Sequence, residues 1–342
     1  MMTNIATVQE LEDHLSRPTD ADVAALAKMD GDLLILGAGG KMGPSLCLLA
    51  RRAADDARVH KRIMAVSRFA DEASRRHFSA YNVETIACDL LEPGALAKLP
   101  DARNVIFMAA RKFGTTGAEH LTWAMNTFLP GLVAERYGES RIVTFSTGNV
   151  YPLKRVSDGG SVESDPVDAQ GEYAQSALGR ERMFEYGSHR WGTPVAILRL
   201  NYAVELRYGV LVDIALAVFE RRPVDLRMGH VNVIWQRDAN SYCLRSFPHC
   251  QSPPFVLNIT GPEILSVRLL AEEFGRRFRL KPIFSGEESD TALLSNAGKA
   301  HDLFGRPTVS DEQAIDWVAD WISHAGPLLR KPTHFSARDG KF

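Results

Sequence analysis

Residues 32–56 read DLLILGAGGKMGPSLCLLARRAADD, and their reading decides the class of fold. A short apolar run, Leu33–Leu36, enters a glycine turn and leaves it as a helix, which makes a strand–turn–helix unit. The turn spaces Gly37, Gly40 and Gly43 as G-x-x-G-x-x-G. Gly37 can take the tight turn, Gly40 lets a pyrophosphate approach the backbone, and Gly43 permits close helix–strand packing. The helix N-terminus that follows favours negative charge. The unit therefore suits a dinucleotide phosphate, with Lys41 and Met42 inside the turn counted among the cofactor-binding residues.

The alternation continues outward from this unit. RIMAVS, VETIAC, NVIFMAA, RIVTFST and PVAILRL read as buried strands, with helical stretches between most of them. That pattern predicts an α/β fold, a Rossmann-like doubly wound parallel sheet covered on both faces. Beyond about Asn201 the regularity weakens into a smaller C-terminal α/β part. There VNVIW, FVLNIT and KPIFSG mix with helices near Val210–Arg221, Val267–Arg279 and Asp311–His324. Ahead of the first strand, Thr7 and Glu10 have capping-box spacing, and a second short helix is expected over Asp22–Lys28. The expected division is a helical extension over 1–30, a dinucleotide-binding domain over 31–200, a substrate-binding part over 201–326 and an extended or loosely packed tail over 327–342.

The end of the second strand bears on the choice of dinucleotide. NAD binders usually place an acid there for the ribose hydroxyls. This chain has Ser67-Arg68, a hydroxyl and a guanidinium that suit a 2′-phosphate. NADP is the expected cofactor; Asp71 and Glu72, close by, keep NAD as the alternative.

Bulk properties narrow the partners. With 45% hydrophobic and 24% charged residues among 342, the composition is that of an ordinary globular protein. A net charge of −2 gives no electrostatic reason for a nucleic acid or membrane partner, so a small-molecule substrate is expected. Cys47, Cys88, Cys243 and Cys250 form no C-x-x-C pair, and no His/Cys cluster has metal-ligand spacing. The N-terminus lacks an apolar signal core, and the apolar run GVLVDIALAVF is short and interrupted by Asp213. A reduced, cytoplasmic protein without a metal is the reading.

With these pieces together, the chain resembles the extended short-chain dehydrogenase/reductase family, the NAD(P)-dependent epimerase/dehydratase group, over most of its length. Gly37, Gly40 and Gly43 match the family's glycine motif. Cys88-Asp89-Leu90 is similar to the acid-Leu pair that contacts adenine, and FMAA, with Ala109 and Ala110, resembles the segment lining the cofactor after the fourth strand. Asn126 matches the asparagine of the following helix. FSTGNVYP resembles Ser-Ser-x-x-Val-Tyr-Gly, which puts Thr147 at the catalytic Ser/Thr position beside Ser146. GEYAQSALGRERMFEYGS, residues 171–188, resembles the Tyr-x-x-x-Lys helix, with Tyr173 at the tyrosine. The resemblance implies hydride transfer at a carbinol or carbonyl carbon, a homodimer, and Tyr173, Thr147 and Ser146 as the catalytic set. LRLNYAVELRYG and GHVNVIWQRD depart from the family's substrate segments, so a nucleotide sugar is not implied; Trp235 reads as a core filler and His230 as structural or exposed.

One residue breaks the pattern. Four positions after Tyr173 the family has a lysine, and this chain has Ala177. A phenol near pKa 10 is a poor base at neutral pH, and a lysine one helical turn away favours its phenolate. No other tyrosine of the chain has a lysine four residues on. Two readings remain: another cation serves, from Arg180, Lys112 or Lys154, or the reaction is lost and the chain is a dinucleotide-binding sensor or accessory protein. Retention of Tyr173 and Thr147 favours the enzyme. Arg180 itself has no acid at its i±3 and i±4 positions and reads as an exposed arginine.

Overall fold

The computed structural model describes residues 5–69, 72–112, 114, 116–331 and 333–340. Seven strands make the main sheet: β1 (Leu33–Leu36), β2 (Ile63–Ser67), β3 (Glu84–Ala87), β4 (Asn104–Phe107), β5 (Arg141–Thr147), β6 (Val195–Leu200) and β7 (Phe255–Ile259). Their order is β3-β2-β1-β4-β5-β6-β7, and every pairing is parallel. The chain thus winds outward in both directions from β1 and β4. The crevice beyond the carboxyl ends of these two strands is where such sheets bind ligands.

Period-two alternation splits β1 between two cores. Leu33 and Ile35 join one face, covered by α3 (Gly43–Asp56) and α9 (Gln236–Arg245). Leu34 and Leu36 join the other, covered by α6 (Leu129–Arg136) and α7 (Gly171–Trp191). The expected interior strands β1 and β4 are buried at every position, but β3 is partly exposed because it ends the sheet. β7 and α9, both from beyond residue 200, close the far edge and one face of this first layer.

A third core gathers α8 (Val210–Phe219), α10 (Val267–Phe278) and α12 (Asp311–Ser323). Leu11 and Leu15 of α1 (Val8–Ser16) pack into it, so the N-terminal extension supports the C-terminal part. Capping boxes start α1 at Thr7 and α2 (Asp20–Lys28) at Thr19, satisfying first-turn N–H groups. The tail is irregular as expected but not loose: Thr333 and Phe335 are buried, and Thr333 donates to Asp213 of α8. Among the described residues no helix is long and apolar enough to cross a membrane.

Candidate active site

Two cavities, of about 220 and 310 Å³, meet over Gly40, Met108 and Ala110 at the carboxyl ends of β1 and β4. The first holds Gly37, Ser67, Arg68, Asp89, Leu90 and Ala109 in its walls. Lys41, Met42, Ser146, Thr147 and Tyr173 line the second. Nearly all the residues marked in the sequence are therefore gathered along one cleft.

The glycine turn fits a pyrophosphate. Gly37 stands at φ +91°, and a Cβ there would come within 2.4 Å of the Ala109 nitrogen. Gly43 lies outside the cleft, where a Cβ would meet the Ala38 carbonyl at 2.0 Å; its part is helix–strand packing. At Gly40 a Cβ would touch only the Gly37 carbonyl, at 3.4 Å, and would otherwise stand in the open cleft. Met42, the N-cap of α3, supplies no side-chain acceptor to the first-turn N–H groups. At the ribose end, Arg68 is exposed and follows Ser67 at the tip of β2. Asp89 accepts the Leu91 N–H at 3.1 Å, which fixes its carboxylate at the cleft wall. Glu72 opens α4 (Glu72–Ser79), and Asp71, the other acid marked near the ribose end, lies outside the described residues.

Tyr173 sits in the first turn of α7 and shares a side-chain hydrogen bond with Thr147 at the end of β5. Thr147 Oγ1 also donates to Asn149 Oδ1 at 3.1 Å. Burial pushes the Tyr173 phenol up, while the Arg180 guanidinium and the Thr147 bond pull it back down. Ala177 is fully buried between them in sequence and brings no charge.

Arg180 corrects the expectation of an exposed arginine: it is only 3% exposed. Its partners lie on other elements, where helical spacing does not show them. Nη1 donates to the Phe145 carbonyl of β5 at 2.7 Å, and Nη2 to Asn126 Oδ1 at 3.0 Å. Asn126 lies in a π-helical turn, Ala124–Phe128, between α5 (Glu119–Trp123) and α6. Its amide also accepts the Arg111 N–H and donates to the Arg111 carbonyl and Ser176 Oγ, each within 3.0 Å. The structure therefore keeps Asn126, expected at the cofactor, inside the protein with its bonding capacity used; it ties down the segment after β4.

That segment carries Lys112, whose ammonium lies 5.6 Å from the centre of the Tyr173 ring. Burial brings its pKa down to about 8, against an opposing pull from Asp213. Lys154, the third candidate cation, pairs with Asp165 at 2.8 Å and lines neither cavity. Ser146 is also differently placed from its expected assisting role. Its hydroxyl proton goes to Glu181 Oε1 at 2.5 Å, so toward the cleft it can only accept. Glu181 in turn pairs with Arg199 at 2.7 Å, and Arg199 donates to the Tyr151 hydroxyl.

The sequence did not mark Tyr202, Tyr208, Asn149 or Thr333, which also line the second cavity. Tyr202 has φ +45°, a left-handed conformation unusual for a non-glycine residue, at the bend after β6. Trp235 is buried against Trp317, as a core filler. A larger cavity of about 790 Å³ lies at the amino ends of the strands, lined by Asp101, Arg103 and Arg136. Both of its arginines are paired, Arg136 with Asp101 and Arg103 with Asp30. Among the described residues no group of three His, Cys, Asp or Glu could hold a metal ion.

Solved structures share this architecture. The UDP-glucuronic acid 4-epimerase from Bacillus cereus, solved with NAD, superposes with a TM-score of 0.72 at 17% identity, covering 86% of this chain and 99% of the other. The epimerase Mth375 from Methanothermobacter thermautotrophicus gives 0.71 at 15% identity over 89% and 96%. A UDP-glucose 4-epimerase from Thermotoga maritima, solved with UDP-glucose, gives 0.67 at 14% over 86% and 99%. At such identities the likeness shows the fold, and a relative solved with NAD lends no support to an NADP preference. No curated protein matches the chain in sequence. The family profile described as NAD dependent epimerase/dehydratase matches residues 33–204, from the first strand through the candidate catalytic helix, and the chain belongs to that family.

Proposed function

We propose that the chain binds NADP in preference to NAD and interconverts a carbinol and a carbonyl on a small, sugar-like substrate. The step stands alone or opens an epimerisation or dehydration. The observation that carries this reading is the hydrogen-bonded pair Tyr173–Thr147 in a cavity continuous with the glycine cleft, with the Arg180 cation acting on the phenol where the family's lysine is absent. Ser67 and Arg68, in place of an acid, support the 2′-phosphate.

A bound nicotinamide supplies the hydride donor or acceptor. The chain's own groups hold the substrate oxygen and move its proton. Thr147 orients that oxygen once its hydroxyl turns from Asn149 Oδ1 to the substrate, and Tyr173 gives the oxygen a proton in reduction or takes one in oxidation. Arg180 stays charged under all ordinary conditions and favours the phenolate when it forms. A homodimer is part of the same proposal: Phe128 and Tyr186, 58% and 59% exposed, stand on adjoining helical segments.

The test is titration with NADPH and NADH by nicotinamide fluorescence, followed by turnover of carbonyl substrates by the wild type and Tyr173→Phe. Selective NADPH binding, with turnover that falls by about 10²–10⁴ in the variant, supports the reading. Tight binding without any turnover returns the sensor reading, and no binding of either dinucleotide removes the enzyme.

A further inference from the structure

The second cavity, which holds Tyr173 and Thr147, takes part of its wall from the end of the chain. Among the described residues that line it, Thr333 alone comes from beyond Val210. The part expected to hold the substrate thus contributes residues from 201–210 only, and the tail adds to them. Thr333 is 3% exposed, and its bonds are spent on Asp213 and on the tail itself. Its N–H and O–H both donate to Asp213 Oδ2, at 2.8 and 2.6 Å, and its Oγ1 accepts the Phe335 N–H at 3.3 Å. It has no proton left for a ligand, so its part in the cavity is steric.

The tail is tied down at both ends of its path. Ahead of Thr333, the Leu329 N–H donates to the Arg207 carbonyl at 3.0 Å, next to Tyr208 in the cavity wall. Beyond Thr333, Arg338 donates to the Thr291 carbonyl and hydroxyl at 2.7 and 2.6 Å. Gly340, at φ +70°, then meets the start of α7, where Gly171 stands at φ +79°. A Cβ on Gly340 would come within 2.1 Å of the Gln170 carbonyl oxygen, and one on Gly171 within 2.3 Å of the Gly340 oxygen. The tail therefore links the Arg207–Val210 stretch, by way of the substrate cavity, to a point two residues before Tyr173.

These ties are few and mostly polar. Among the described residues no helix or strand follows α12, and Phe335 is the one buried aromatic side chain of the tail. A cavity of about 260 Å³ lies between Phe335 and Ser336 of the tail and Asp213, Ile214 and Ala217 of α8. The tail does not fill the surface it lies on, so it can open at a cost well below that of unfolding the whole chain. It also stands where an opening is needed. The substrate cavity shares Gly40, Met108 and Ala110 with the cofactor cleft, a side that a bound dinucleotide fills.

Resting on the oxidoreductase reading above, we propose that the segment Thr333–Gly340 is a strap over the substrate cavity. Thr333 sets the size limit for the substrate, and the strap lifts to admit it once the dinucleotide is bound.

Acrylamide quenching of the fluorescence of bound NADPH or NADH tests this in the full-length protein, because the nicotinamide then lies under the strap. Phe335→Ala removes the tail's aromatic anchor, and Gly340→Val drives a side chain into the Gln170 carbonyl. In at least one of the two variants the quenching constant should rise about threefold or more, with dinucleotide affinity held within about twofold. Thr333→Ser keeps the bond to Asp213 and removes the methyl group. It should raise kcat/KM about tenfold for a carbonyl compound one methyl larger than the best wild-type substrate. Quenching that stays at the wild-type level in both variants, or rises only with a greater loss of affinity, overturns the strap. No gain for the larger compound in Thr333→Ser overturns the size limit. If the protein loads dinucleotide but turns over no carbonyl compound, the oxidoreductase reading falls while the quenching still decides the strap. Failure to load either dinucleotide takes down both.

Discussion

Arg180 Nη2 donates to Asn126 Oδ1 across 3.0 Å, joining the candidate catalytic helix to the π-helical turn behind it. The bond holds a permanent cation two helical turns beyond Tyr173, while its Nη1 is fixed on the backbone of β5. Each pKa unit by which a cation favours the phenolate is worth about 1.4 kcal/mol. Arg180→Met should slow oxidation near pH 8 by about tenfold and move the alkaline limb of its pH–rate profile upward by about one unit. Arg180→Lys, which keeps the charge, should leave that limb nearly in place. An unmoved limb in the methionine variant would remove Arg180 from the chemistry.

Restoring the family's lysine should not help. Ala177 is fully buried, and three residues on stands Arg180, already holding the nearby acceptors. Ala177→Lys adds bulk and a second cation to a packed interior, and is expected to cost about 1–3 kcal/mol in urea unfolding with no gain in kcat. A variant with wild-type stability and faster turnover would show that the position had simply been vacated.

Cofactor choice should follow the tip of β2. Ser67→Asp combined with Arg68→Ala replaces a guanidinium with a carboxylate at the ribose end. NADPH affinity should fall by about 10–100-fold while NADH affinity holds or improves. Parallel fluorescence titrations of the two dinucleotides read this directly.

The two directions of reaction should differ in pH dependence. Burial raises the Tyr173 phenol, so its protonated form persists through neutral pH and above. Reduction, which uses the proton, should have a flat kcat between pH 6 and 8, about two units below an ordinary phenol. Oxidation needs the phenolate, and its kcat should climb across the alkaline range.

Beneath Ser146 lies the buried pair of Glu181 and Arg199, 3% and 8% exposed at their side chains. Glu181→Ala leaves a buried guanidinium without its counter-charge, at an expected cost of about 3–5 kcal/mol. Ser146→Ala removes only one hydrogen bond to that pair and should cost about 1 kcal/mol. Chemical denaturation of both variants separates the buried pair from a serine that only hydrogen-bonds to it.

Much of this was legible because it is local. The β1 run, the glycine spacing and the recurring apolar strands each lie within a few residues, and their periodicity carries the winding of the sheet. Tyr173, Thr147 and the missing lysine at Ala177 are equally readable, since a motif is a spacing along the chain. Those features by themselves determined the fold class and the family.

The tertiary structure decided how charge is arranged around them. Arg180 looked exposed because a helix shows only its i±3 and i±4 neighbours, whereas its acceptors come from residues 35 and 54 positions away. Asn126 turned inward because Arg111, Ser176 and Arg180 use its amide fully. Lys41, Lys112 and Thr333 meet in one cavity only because β1, β4 and the tail converge there. Backbone pattern follows from short-range sterics and hydrophobic period, but the charge on a site is a sum over groups that folding brings together from distant parts of the chain.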